Sequence, residues 1–105
     1  MARPPNRSPQ TRLVLAALLD QPKEWRHGYD LAKQSELQSG TLYPILMRLA
    51  EQGLLEEAWE EADIVGRPPR HVYRLTASGA ATARELVRDE RANARRLRLS
   101  KATQR

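Results

Sequence analysis

The sequence predicts a mainly α-helical domain with one small two-stranded β-hairpin and a long final helix. Three observations predict it. Apolar residues recur at helical spacing in residues 8–19, 27–34 and 39–53. Two alternating segments, 54–61 and 70–76, flank a stretch that ends in Gly66-Arg67-Pro68-Pro69. After Gly79 a helical pattern continues without Gly or Pro to about Ser100.

The chain has 105 residues, a length that suits one small domain. It contains no cysteine, which excludes disulfides, thiolate zinc sites and cysteine nucleophiles. No apolar run approaches the ~18 residues of a membrane span, and no signal-like h-region follows the first residues, so a cytoplasmic protein is expected. The net charge is +5. Its distribution is uneven: residues 80–105 carry eight Lys/Arg against three acids, whereas residues 1–79 are balanced. An anionic partner fits the total, but the excess alone does not locate a binding surface.

In chain order, residues 1–7 are rich in Pro and Arg and lack periodicity, which reads as a mobile basic N-terminal arm. Ser8-Pro9 provides an N-cap and a proline at N1. The helix that follows is apolar nearly all round, from Leu13 to Leu19, and stops at Asp20-Gln21-Pro22. Such a helix needs cover on both sides, and in a small domain a second subunit can supply one of them. A loop over 21–26 leads to a short second helix whose expected buried edge is Tyr29, Leu31 and Ala32. Residues 35–38 then make a tight connection.

The third helix is expected to start at Ser39 as N-cap and to end at Gly53 as C′ residue. Leu42, Ile45, Leu46 and Leu49 form its apolar stripe. Gly40, Pro44, Met47 and Glu51 fall opposite, with Thr41 and Arg48 on one flank and Tyr43 on the other. Two helices joined this closely, the second bearing short polar groups, match a helix-turn-helix. The hairpin behind them then reads as a wing, with Arg67 and Arg70 bracketing its tip. Glu56, Glu57, Glu60, Glu61 and Asp63 oppose that reading unless some pair across the hairpin with Arg70 and Arg74. Trp59 is expected in the core beside Leu55.

Thr76 is the expected N-cap of the last helix. Its thin stripe of Ala80, Ala83, Leu86, Val87, Ala94 and Leu97 exceeds what the small body can cover. Packing on the first helix of a second copy would bury it, with Leu15, Leu18, Leu19, Leu86, Val87 and Leu97 at the interface. The expected division is an arm at 1–7, a winged helix-turn-helix DNA-binding domain at 8–76, a dimerisation helix at 76–100 and a disordered tail at 101–105.

The motifs themselves resemble the PadR family of winged-helix transcriptional regulators across about residues 9–98. The resemblance is carried by His27-Gly28-Tyr29-Asp30-Leu31, by Ser39-Gly40-Thr41-Leu42-Tyr43-Pro44-Ile45-Leu46 with Arg48-Leu49, and by Gly53-Leu54. Trp59, Gly66-Arg67-Pro68 and Tyr73-Arg74-Leu75-Thr76 with Gly79 extend it. It implies a dimeric bacterial repressor of the smaller architectural class, with a single short C-terminal helix. Some members respond to an aromatic or drug-like effector through aromatic residues on that helix. None follows Tyr73 here, so an effector is allowed but not predicted.

In the DNA-binding reading, Ser39 and Thr41 offer hydroxyls to base edges or phosphates, and Gly40 keeps the first turn small. Tyr43 gives its hydroxyl to a phosphate and its ring to a thymine methyl, or packs on the second helix. Pro44 lacks the N–H that would bond back to Gly40, which should distort the first turn. Arg48 binds phosphate or solvates its flank, while Arg67 and Arg70 serve the wing. Bound DNA would place the protein at the nucleoid. The alternative is a winged-helix protein-interaction module without specific DNA binding, favoured by the acidic strand. No catalytic constellation, phosphate loop, cofactor motif or metal-ligand spacing is present, so neither an enzyme nor a metal site is expected.

Overall fold

In the computed structural model, residues 8–62 and 64–103 are described, with no account of the side chains from Ser100 onward. The N-terminal arm, Asp63 and residues 104–105 lie outside them. Four helices and three short strands follow one another as α1 (Pro9–Leu19), β1 (Arg26–His27), α2 (Gly28–Ser35), α3 (Ser39–Glu51), β2 (Leu55–Glu60), β3 (Arg70–Leu75) and α4 (Ala77–Thr103). The helix-rich class with a hairpin wing is thus what the chain adopts.

Helix α1 begins as its first residues dictate. Ser8 Oγ accepts the Thr11 amide at 3.1 Å, and Pro9 occupies a position where no N–H is needed. Helix α2 ends at Glu36, which turns left-handed at φ 60°, and the Leu37 N–H closes back on Ala32 O at 3.1 Å. That reversal sets α3 directly after α2. Helix α3 in turn stops at Gly53, whose φ of 75° only a glycine adopts freely, and the Leu54 N–H bonds Leu49 O. Gln38 rather than Ser39 is the N-cap of α3, without a side-chain capping bond. The hydroxyl of Ser39 makes no hydrogen bond among the described residues and faces solvent.

The sheet has the order β1-β3-β2, all antiparallel. The expected hairpin is therefore extended by a third strand, with Arg26 opposite Tyr73 and His27 opposite Val72. Two residues are too short to show alternation, which is why the segment read as loop. Arg26 fixes it sideways: its guanidinium donates to Ala17 O at 3.1 Å and to the Gln34 side chain.

The core lies between one sheet face and the helices. Val14, Leu15, Leu18, Leu31, Leu42, Leu46 and Leu49 meet Leu55, Tyr73 and Leu75, with Ala80 and Ala83 of α4 against them. Leu15 and Leu18, expected at a subunit interface, are instead 0% and 1% exposed within this chain. Leu13 is the large apolar residue that α1 leaves outside, at 48% exposure, with Ala16 next to it on the same face. Leu19, Leu86 and Val87 are half-buried, and Leu97 is exposed.

Two further expectations fail on phase and reach. The buried edge of α2 is Gly28, Leu31 and Ser35, while Tyr29 stands 71% exposed beneath the Lys33 ammonium. Trp59 does share a strand face with Leu55, but it is 67% exposed, because the helices cover that face only near its base. Thr76 caps α4 as expected, accepting the Gly79 amide at 3.0 Å while its hydroxyl donates to Gly53 O at 2.7 Å. Helix α4 continues to Thr103, three residues into the expected tail, and every described side chain beyond Val87 is exposed.

Candidate nucleic-acid interface

The apolar stripe of α3 is spent on the core, which leaves the opposite side of its first turns free. Ser39, Gly40, Thr41, Tyr43, Pro44 and Arg48 are all exposed, as are Arg67 and Arg70 on the wing. Nothing lies within 4 Å of where a side chain on Gly40 would begin, so this end of α3 is open to a close-approaching surface. Pro44 leaves α3 one continuous helix over Ser39–Glu51 rather than breaking it. At the helix start, both Thr41 and Leu42 bond Gln38 O, at 3.0 and 2.9 Å.

Tyr43 realises the packing alternative and remains partly outside. Its phenol lies across the first turn of α2, where a Cβ on residue 28 would come within 2.3 Å of the Tyr43 oxygen. Residue 28 is therefore small because the Tyr43 ring needs the room. The ring is still 38% exposed. Beside it opens a cleft of about 520 Å³ lined by His27, Gly28, Tyr29, Asp30, Tyr43, Arg70 and His71. The start of β3 and Tyr43 of α3 thus line one cleft.

The carboxylates of the hairpin are mostly occupied within the sheet. Glu56 accepts Arg74 Nε at 3.0 Å, as the cross-strand pairing predicts. Glu60 lies opposite Arg70 in register but is held by His27 Nε2 at 2.8 Å instead, leaving the Arg70 guanidinium to the cleft. Glu57 reaches His71 Nε2 at 3.4 Å. His27 also approaches Asp30 through Nδ1 at 3.5 Å, which makes it a tie between α2 and β2. Asp63 lies outside the described residues.

Sequence reasoning missed the aromatic ladder on the wing. Trp59 stacks on His71 with centroids 4.6 Å apart and planes 9° from parallel, and His71 meets Tyr73 at the same distance. The pairing of Trp59 with His71 and of Glu57 with Tyr73 in the hairpin register is the signal that would have found it. Trp25, 37% exposed, is covered on one face by the Arg74 guanidinium at 4.2 Å.

Tyr73 is 2% exposed, and its hydroxyl and His71 Nδ1 are 3.0 Å apart. Burial first, then the neighbouring Tyr43 and the Glu57 carboxylate, push its pKa up to about 12 from 10.0. A raised pKa in the folded state makes this contribution complete below pH 10 and lost as pH rises toward 12. Denaturant midpoints should therefore fall across that window more steeply in the wild type than in Tyr73→Phe. Equal slopes in the two proteins would contradict the buried, neutral phenol.

Among the described residues no group of His, Asp or Glu could hold a metal ion, and no helix is long and apolar enough to cross a membrane.

Comparisons with known proteins bear on the family and the fold. A family model described as "Transcriptional regulator PadR-like family" matches residues 14–85. The chain is similar to a PadR family regulator from Eggerthella lenta, at 31% identity and a TM-score of 0.71, covering 87% of this chain and 82% of the other. It is also similar to a PadR-like transcription factor from Bacteroides fragilis, at 30% identity, 85% and 89% coverage and a TM-score of 0.66. The PcaV regulator of Streptomyces coelicolor, solved with its natural ligand, matches at 32% identity with a TM-score of 0.62; 82% of this chain and 57% of PcaV are covered. No curated protein matches the chain.

Proposed function

Because the chain belongs to the PadR-like family of transcriptional regulators, a family of regulators rather than enzymes, we propose that it is a dimeric repressor binding a pseudo-palindromic operator through α3 and the wing. Two copies of α3 would enter successive major grooves about 34 Å apart. The observation that carries this reading is the cleft that Tyr43 of α3 shares with Arg70 of the wing, with Glu60 and Glu56 of the hairpin bonded to His27 and Arg74. Ser39 and Thr41 offer hydroxyls to base edges. The half-exposed ring of Tyr43 meets sugar or a thymine methyl, and Arg48, Arg67 and Arg70 meet phosphates. The working place of such a protein is the cytoplasm, at the nucleoid when bound.

Dimerisation rests on Leu13 and Ala16 of α1 and on α4 beyond Val87, where every described side chain is exposed and Leu97 stands 66% exposed. Leu86 and Val87, both half-buried, mark where burial along α4 ends. Release by an aromatic effector finds no anchor in α4, which carries no aromatic residue. The protein-interaction alternative rested on the acidic strand. Glu56 is ion-paired with Arg74, and Glu57 and Glu60 lie within reach of His71 and His27, which counts against that alternative.

The test separates position from sequence reading. Arg67→Ala should weaken binding to every duplex and reduce the salt slope by about one. Thr41→Ala should change base preference at one operator position by about 1–3 kcal/mol with the slope intact. Unchanged operator affinity in both variants would remove α3 and the wing from the interface.

A further inference from the structure

Helix α4 carries the chain's excess of positive charge, and it carries it in a row. At about 100° per residue, Arg84, Arg88, Arg91, Arg95 and Arg98 fall within about 80° of one another. The row extends over roughly 21 Å at about 1.5 Å per residue. All of these side chains are exposed. Among the described residues none of them is paired with a carboxylate. Only Arg88 has an acid three or four residues away, Glu85. Each has another arginine at that spacing instead, and like charges so placed destabilise a helix on its own. Such a row is unfavourable on a free helix and favourable on one that meets a polyanion.

We propose that this row is a second duplex-binding surface, separate from α3 and the wing, by which the protein holds another segment of DNA. It goes beyond the operator reading and stands on different residues. Three observations select a phosphate backbone as the occupant. The row is built of arginine without lysine, whose planar fork matches two phosphate oxygens at once, and roughly 21 Å of duplex presents about a dozen phosphates. Between residues 84 and 99 no apolar side chain falls inside the sector of the row. A protein partner needs apolar or aromatic anchors at the centre of its contact, and an anionic bilayer takes up apolar groups on the face it meets. The apolar stripe of Ala83, Leu86, Val87, Ala94 and Leu97 lies about 110° round the helix, so a second copy packed on that stripe leaves the row open. The place where α4 starts is the third observation. Thr76, its cap, bonds Gly53 O just beyond the C-terminal end of α3, whereas the candidate interface lies at the first turns of α3, about 18 Å along that helix. The row therefore departs from the end of α3 opposite the candidate interface, which favours a second duplex over a further grip on the first.

The test fixes genomic fragments selected by the full chain to beads, saturates them with protein and offers a labelled duplex of unrelated sequence. Wild type is compared with the triple variant Arg91→Gln/Arg95→Gln/Arg98→Gln, in which glutamine keeps the helix. Melting temperatures establish that the variant folds. Wild type should capture the second duplex, with a logarithmic affinity that falls with log salt by about 4 to 5. The variant should protect the same bases of the selected fragment but capture the second duplex about ten-fold more weakly, with a salt slope lower by about three. Equal capture by the two proteins, or none by wild type, would overturn the proposal. So would loss of protection on the selected fragment, since the row would then serve the first site. A changed oligomeric state of the variant in sedimentation would place the row against a second copy, and tighter binding of wild type to phosphatidylglycerol vesicles than to the duplex would place it on a membrane; either overturns the proposal. Random duplex on the beads keeps the two readings apart. If the chain selects no fragment, the regulator reading fails, whereas the row still requires that wild type bind random duplex more tightly than the variant does.

Discussion

Leu18→Arg is expected to unfold the domain rather than divide a dimer. Leu18 is 1% exposed and sits in the one core that α1, the sheet and α4 share. An arginine there would lose the burial of the leucine and leave a guanidinium without a partner, a cost on the order of 4 kcal/mol or more. Small domains have about 5–15 kcal/mol in total. Circular dichroism should show loss of helix at ambient temperature or a strongly lowered urea midpoint. Leu13→Glu changes a residue on the other side of the same helix, 48% exposed, and should keep the fold. Sedimentation should find it shifted toward monomer. A folded Leu18→Arg protein would contradict the packing of α1, and an intact Leu13→Glu dimer would remove α1 from the interface.

Gly79→Ala should destabilise in spite of the helix it lies in. An alanine in a helix is ordinarily worth about 1 kcal/mol over glycine. Here a Cβ would stand 1.9 Å from the Leu54 carbonyl oxygen and 2.8 Å from its carbon, backbone atoms that no side-chain rotation moves. Leu54 O already accepts the Thr76 amide at 3.0 Å, and Thr76 caps α4, so displacement of α4 breaks the junction between the wing and the last helix. The net loss should be about 2 kcal/mol or more, a fall in melting temperature of roughly 10 °C. Gly40→Ala is the control, since nothing lies within 4 Å of its position, and it should leave stability unchanged or raise it. Equal effects at the two glycines would contradict the close approach of α4 to Leu54.

Where the sequence foretold the structure, the signal was local. The caps Ser8 and Thr76, the C′ residue Gly53 and the period of Leu42, Ile45, Leu46 and Leu49 each act within a turn or two of chain, and each holds. What escaped depends on distant neighbours. Trp59 has the alternation of a core residue, but whether its face is covered depends on how far the helices reach along the sheet. Tyr29 and Gly28 differ by one step of helical phase, and only the Tyr43 ring explains why the small residue faces inward. Leu15 and Leu18 were legible as apolar but not as belonging to this chain's own core, because an all-round apolar helix does not say which side its own domain will cover. The residues of the candidate interface were legible for the opposite reason: with the apolar stripe assigned, the open side of α3 follows from geometry. The freeing of Arg70 by His27 was not, because it depends on a contact thirty-three residues apart in sequence.

Sequence-specific recognition of duplex DNA by α3 and the wing is open to one decisive titration. The most direct measurement is to let the purified chain select from genomic fragments and to titrate the selected fragments against random duplex across a range of salt. One or a few pseudo-palindromic sites with half-sites about 34 Å apart are expected, with a logarithmic affinity that falls with log salt by about 0.9 for each phosphate neutralised. Retention of no fragment above random DNA, or binding that salt leaves unchanged, would contradict it.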